Sequence, residues 1–256
     1  MISLIAVIVF AIQLGSRSTG RISGWVWLVI AASTLVITRS ATIYVALAMV
    51  IAVAAIAAIV RLARTPRIKA IVYSVIAAGA VALAASIELF SSTLLRALGK
   101  SSDFTGRTGI WDAVIALADQ RPAVGWGWVS YWTPWVEPFK GLIVRNRVEV
   151  THAHNAWLDI WLQVGIVGVV LFAALILALL ARAWLMVQDA DKGRGAWVAA
   201  LPLLVITAQL VQSIAESRIL VEGGWMLLVI MACTTKWSMQ RSGAPAGTVR
   251  TIAAVP

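Results

Sequence analysis

Apolar runs fill most of the chain, and polar positions collect in the gaps between them. Seven runs read as membrane spans: Ile2–Leu14, Ile22–Thr38, Ala41–Val60, Ala70–Leu89, Ala156–Leu180, Ala196–Ile214 and Ile219–Thr235. Most reach the ~17–25 residues that carry a helix across about 30 Å of hydrocarbon. The first is short for a span. It does not read as a signal peptide either, because no basic residue precedes it and no small-x-small cleavage site precedes Gly15. The pattern predicts an all-α, polytopic transmembrane helical bundle of about seven spans. Residues 1–89 hold spans one to four, 90–155 one large external loop, 156–238 spans five to seven, and 239–256 a disordered cytoplasmic tail. Inside the loop, Ser101 to Gln120 has helical spacing at Ile110, Trp111, Val114, Ile115, Leu117 and Ala118, which predicts an amphipathic helix lying on the outer face. Pro122, Gly125, Gly127, Pro134 and Pro138 break the rest of the loop into turns.

Composition sharpens the class. The chain is 61% hydrophobic and 12% charged, half the charge of an ordinary soluble domain at about 25%. A soluble enzyme, a disordered chain and a nucleic-acid-binding domain are excluded. The net charge of +10, from 21 Lys+Arg against 11 Asp+Glu, is the signature of basic residues gathered in cytoplasmic loops. Arg61, Arg64, Arg67 and Lys69 form the clearest such loop; Arg17 and Arg21, then Arg182, Lys192 and Arg194, then Lys236, Arg241 and Arg250 mark the others. All fall on one side when seven spans are counted, which predicts a cytoplasmic C-terminus and an external 90–155 loop. Met1 then lies outside and opens directly into an apolar run, an arrangement that predicts a missing front of a longer protein. The single cysteine, Cys233, excludes an intrachain disulfide and a thiolate metal cluster.

Candidate chemistry concentrates at the outer boundary. His152 and His154, the only histidines, lie in Thr151-His152-Ala153-His154-Asn155-Ala156-Trp157-Leu158-Asp159, followed by Gly165-Ile166-Val167-Gly168. A neutral imidazole there is able to accept a proton near physiological pH; a capped helix end anchored at the interface is the other reading. Two residues apart on a helix, the histidines diverge, and no cysteine or third histidine completes a zinc site, so no metal is expected. Arg39, in the external turn after span two, and Arg107, before the external helix, suit a lipid-linked diphosphate, because guanidinium binds phosphate oxygens bidentately. Snorkelling to headgroup phosphates is the competing reading, and it leads for Arg145 and Arg147. Glu88, Glu216 and Glu222 are the boundary acids; Glu216 pairs with Arg218 or orients a substrate, and Asp159, four residues after Asn155 on one helical face, ties its helix to a neighbour. No G-x-S-x-G elbow, P-loop or dinucleotide fingerprint is present.

His154-Asn155-Ala156-Trp157-Leu158-Asp159 with Gly165-Ile166-Val167-Gly168 resembles the H-N-x-x-L-[DE]…G-x-x-G signature of the O-antigen ligase-like family. That family includes lipid A-core O-antigen ligases, O-antigen and exopolysaccharide polymerases, and some protein O-oligosaccharyltransferases. Gly106-Arg107 with Trp111 is similar to its G-R-x-x-x-W element, Thr38-Arg39-Ser40 to its external arginine segment, and Pro122 to Gly127 to its P-x-x-G-x-G turn. The resemblance covers residues 15–235 and corresponds to the C-terminal portion of a full member. It implies metal-independent, cofactor-free glycosyl transfer from a polyprenyl-diphosphate-linked glycan to a glycan or lipid acceptor, among the lipids of the cytoplasmic (inner) membrane, at its outer face. It also implies His154 as base, Arg107 and Arg39 as diphosphate holders, and Glu216, Asp159 and Asn155 in acceptor-orienting or structural roles. A flippase or transporter of lipid-linked glycans and a non-catalytic membrane partner are the alternatives. The first predicts charges spread along the spans, whereas here they cluster outside.

Overall fold

The computed structural model describes residues 1–18, 20–63, 65–79, 107–133, 135–145, 147–191 and 194–242. The molecule is mostly helical: α1 (Ile2–Ser16), α2 (Arg21–Ile37), α3 (Ala41–Leu62), α4 (66–79), α5 (Thr108–Ala118), α6 (Ala156–Asp189), α7 (Arg194–Ser213) and α8 (Glu222–Ser242). A short 3-10 turn, Arg218–Leu220, precedes α8. The expected all-α class has one small exception, an antiparallel ribbon pairing β1 (Val144–Arg145) with β2 (Val148–Glu149). Strands this short leave no period-2 alternation to read.

Among the described residues, α3, α6 and α7 are long and apolar enough to cross a membrane. Helices α1 and α2 are shorter apolar helices of 15 and 17 residues. The seventh expected span, Ile219–Thr235, is instead the 3-10 turn and then α8, offset toward the C-terminus. The latter part of the fourth expected span, Glu88, Gly106, the loop's first residues and the tail from residue 243 lie outside the described residues.

The bundle's core is built from one apolar stripe per helix, including Leu4 and Ile8 of α1, Ala46 and Val50 of α3, Ile176 and Leu179 of α6, and Leu203 and Ile206 of α7. Helix α7 sits centrally, packed on α1, α3, α6 and α8. At the far end, Arg61 donates to the carbonyls of Val187 and Ala190 (2.9 Å to Ala190), satisfying orphan acceptors at the end of α6. That cap accompanies a helix that runs on to Asp189, past the expected Leu180.

A second core lies around α5. Ile110, Val114, Leu117 and Ala118 of α5 pack with Trp132, Phe139, Ala153 and Leu162. Helix α5 therefore buries its apolar face against the loop and α6 rather than only lying on a lipid surface. Helix α6 is interrupted where this segment docks. Gly165 has φ 72° and ψ −172°, a region essentially restricted to glycine. The Pro122–Gly127 turn fills the gap in the ladder: Ile166 N donates to Pro122 O (2.8 Å) and Val167 N to Ala123 O (3.3 Å), while Trp126 N and Gly127 N donate to Leu162 O (3.0 Å) and Gln163 O (2.8 Å). A Cβ on Gly165 would overlap the Ala123 carbonyl, and one on Gly125 (φ 68°) would lie 2.5 Å from the Gln163 carbonyl carbon. Buried Gln163 completes the clasp, accepting from Val129 N (2.7 Å) and donating to Ser130 O (3.1 Å). These bonds give partners to four backbone groups freed by the break, as irregular backbone inside a long apolar helix requires.

Candidate active site

Three chain segments meet where α6 begins: the 151–155 turn, the 214–221 turn that follows α7, and the start of α5. His154 sits in the first with φ 51°, a left-handed conformation that costs a non-glycine residue energy and persists only when its surroundings impose it. Here both flanks are anchored. On one side Asn155 caps α6, its side-chain oxygen accepting from Trp157 N (3.0 Å) and Leu158 N (3.3 Å). On the other, Ala153 N donates to both carboxylate oxygens of Asp159 (3.1 and 3.2 Å), and Ala153 O accepts from Trp111 Nε1 (3.0 Å).

Asp159 is 2% exposed and also accepts from the Ser217 hydroxyl. One carboxylate therefore ties the histidine turn to the segment carrying Glu216. Glu216 Oε1 accepts from Arg107 Nη2 (3.0 Å), and its Oε2 lies 3.4 Å from His154 Nδ1; Arg107 Nη1 donates to Ala215 O (2.6 Å). The result is a chain of alternating character, Arg107–Glu216–His154, with side chains 23–35% exposed and so open to a substrate. Burial raises the Glu216 carboxyl, but the His154 hydrogen bond and the charges of His154 and Arg107 outweigh it and hold the carboxyl below its usual range. A carboxylate only accepts, so an Nδ1–H on His154 is the proton that faces Glu216, and Nε2 points away from that contact.

His152 contradicts the expectation of diverging imidazoles. The two rings do not sit on a helix. They precede α6 in the turn that the left-handed His154 bends, and their centroids lie 4.0 Å apart. Tyr131 meets His152 edge-on at 5.7 Å. Burial, and then the His154 charge, push His152 down to about 4, so it is neutral at physiological pH. With Glu216 the pair offers three potential ligand atoms within 4.8 Å of one another.

Arg39 occupies the α2–α3 turn, exposed and left-handed at φ 46°. It is not part of the Arg107–Glu216–His154 chain. Its neighbour Thr38 lines a cavity of about 950 Å³ between α1, α2 and α8, with Ile5, Phe10, Trp27 and Leu227 among the apolar lining and Arg218 and Glu222 among the charged. The expected alternative, a Glu216–Arg218 pair, does not form; Glu216 takes Arg107 and His154 instead. Arg147 is exposed at the turn of the ribbon, and Glu222 is exposed at the start of α8. Ser217 was not readable from sequence. The Trp111 bond to Ala153 O explains physically why a tryptophan four residues after Arg107 matters.

A profile of the O-antigen ligase family matches residues 26–173. This stretch contains Arg39, Arg107, His154 and Asp159, but not Glu216. The exopolysaccharide production protein ExoQ of Rhizobium meliloti (strain 1021) is 32% identical over 108 residues, 41% of this chain and 24% of that protein. The match thus spans about a quarter of that relative's length. No solved structure matches the chain.

Proposed function

The chain belongs to the O-antigen ligase family, and from that premise we propose that it transfers a glycan from a polyprenyl-diphosphate donor to an acceptor hydroxyl at the outer face of the cytoplasmic membrane. The observation that carries this reading is the Arg107–Glu216–His154 chain, partly exposed at one end of an apolar bundle. Its members are of the types that such a reaction requires.

In the proposed step the acceptor oxygen attacks the anomeric carbon and the bond to the diphosphate oxygen breaks. The acceptor proton passes to His154 Nε2. Glu216 holds Nδ1–H and stabilises the imidazolium as it forms, a base oriented by a carboxylate. Diphosphate is already a good leaving group, so the second requirement is cationic: to hold charge that grows as the bond breaks. Arg107 uses two of its five N–H donors on Ala215 and Glu216, leaving others for phosphate oxygens. Arg39 joins it from the α2–α3 turn, and Arg218 supplies a further cation in the cavity lining. The donor's lipid chain lies along the apolar walls at Phe10, Trp27 and Leu227. No step draws on a metal or organic cofactor. Seven spans with the 107–155 segment external and the C-terminus cytoplasmic complete the proposal.

The test is transfer by the purified chain in nanodiscs, given a polyprenyl-diphosphate oligosaccharide and a glycan or lipid acceptor. Formation of a covalently lengthened glycan with release of polyprenyl diphosphate supports transfer. Movement of intact donor between leaflets without a new glycosidic bond refutes it and points to transport.

A further inference from the structure

We infer that His152, His154 and Glu216 form a binding site for one transition-metal divalent cation of the zinc class, and that its occupancy shuts off His154 as a base. The inhibitory half rests on the proposed role of His154; the binding half does not.

Two imidazoles and one carboxylate are the donor set of many open zinc sites, with water completing a tetrahedron. Zinc–ligand distances of about 2.0–2.2 Å place tetrahedral donor atoms roughly 3.3–3.5 Å apart. His154 Nδ1 and Glu216 Oε2 are already 3.4 Å apart. The full set falls within 4.8 Å, so rotation of the His152 side chain closes the remaining gap. Arg107 remains on Oε1 at 3.0 Å, fixing the carboxylate while leaving Oε2 to the cation. Imidazole ligands favour zinc, cobalt or nickel over magnesium and calcium, which take oxygen.

Blocking follows from the tautomer. A cation on His154 takes the Nδ1 lone pair, and the ring's single proton moves to Nε2. That nitrogen then donates and no longer accepts a proton. The proton count of the ring is unchanged, so inhibition needs no acidification.

The experiment uses the full chain in detergent with a histidine-free affinity tag and Cys233→Ser to remove the exposed thiol. Zinc chloride is titrated calorimetrically, cobalt chloride by its visible spectrum, and magnesium chloride serves as control. One zinc per chain is expected, with the visible bands of cobalt held by nitrogen ligands. Outer-shell losses alone weaken metal sites about 10–100-fold, so His152→Ala and His152→Gln should each weaken binding at least about tenfold. Zinc should inhibit glycosyl transfer by wild type, EDTA should restore it, and both His152 variants should turn over while resisting zinc. Unchanged affinity in both His152 variants, no saturable binding, or equal binding of magnesium overturns the proposal. Zinc binding without inhibition also overturns it and leaves transfer through His154 standing. Saturable binding that needs His152, in a metal-free chain that transfers no glycan, upholds the site and counts against the transferase reading alone.

Discussion

Replacing Gly165 with alanine tests the clasp between α6 and the Pro122–Gly127 turn. The residue's φ of 72° with ψ of −172° costs an L-residue about 1–3 kcal/mol. Its new Cβ would also occupy space held by the Ala123 carbonyl, so the turn must withdraw. Withdrawal breaks four hydrogen bonds, those linking Ile166 to Pro122, Val167 to Ala123, Trp126 to Leu162 and Gly127 to Gln163. At about 0.5–1.5 kcal/mol net for each bond, and with the backbone strain, the substitution costs on the order of 3–9 kcal/mol. That approaches the whole stability of a typical domain, about 5–15 kcal/mol. The bundle's apolar core lies elsewhere, so α5 and the turns that follow it should undock while the bundle helices remain. The assay is limited proteolysis of the purified chain alongside far-ultraviolet circular dichroism. Faster cleavage within 119–150 with retained helicity is expected. Gly109→Ala is the control, since open space surrounds that position inside α5; it should leave stability unchanged or raise it by about 0.5–1 kcal/mol. Wild-type cleavage and thermal midpoint in Gly165→Ala would refute the docking argument.

Arg107→Lys should lose nearly as much transfer activity as Arg107→Ala, about 100-fold or more, because an ammonium cannot span Ala215 O and Glu216 Oε1 together. Near-wild-type turnover of the lysine variant would reduce Arg107 to a surface charge. Asp159→Asn replaces an acceptor for Ala153 N and Ser217 Oγ with a group that must also donate, so thermal stability should fall by about 1–3 kcal/mol; an unchanged midpoint would show that the two turns are held by other means. Acid should loosen the site through His152, whose folded value of about 4 lies below its ordinary 6.5 because burial, then the His154 charge, disfavours the cation. A depressed folded value means that the stabilisation is present above about 6.5 and is lost as pH falls toward 4. The thermal midpoint, measured with chelator present, should therefore drop across that window in wild type and less in His152→Ala; parallel curves would remove His152 as the cause.

Much of the helical framework was legible because apolar runs and helices share boundaries here. The run at Ala41–Val60 becomes α3 at Ala41–Leu62, and Ile22–Thr38 becomes α2 at Arg21–Ile37. Periodicity cannot convey a break inside an apolar run. Gly165 looks like any small residue in a membrane helix until the Ala123 carbonyl is seen against it. The His154 motif marked a place in the chain, but not its geometry. Its left-handed turn draws His152 alongside, whereas helical spacing separates them. Glu216 stands 109 positions from Arg107 and 62 from His154, and no local pattern reports such a partnership. Nearby Arg218 was therefore the natural partner to expect from sequence. The ribbon at Val144–Glu149 leaves no trace in the sequence because two-residue strands carry no period.

The central claim is that His154 removes the acceptor proton during glycan transfer. Its most direct test is complementation of a bacterial strain lacking its own ligase or polymerase, with the chain and its His154→Ala variant expressed to equal membrane levels. Glycan length on a gel is the readout. The account predicts that the wild-type chain restores the long glycan and that His154→Ala leaves only the unextended form. Restoration by His154→Ala as complete as that by wild type would contradict it.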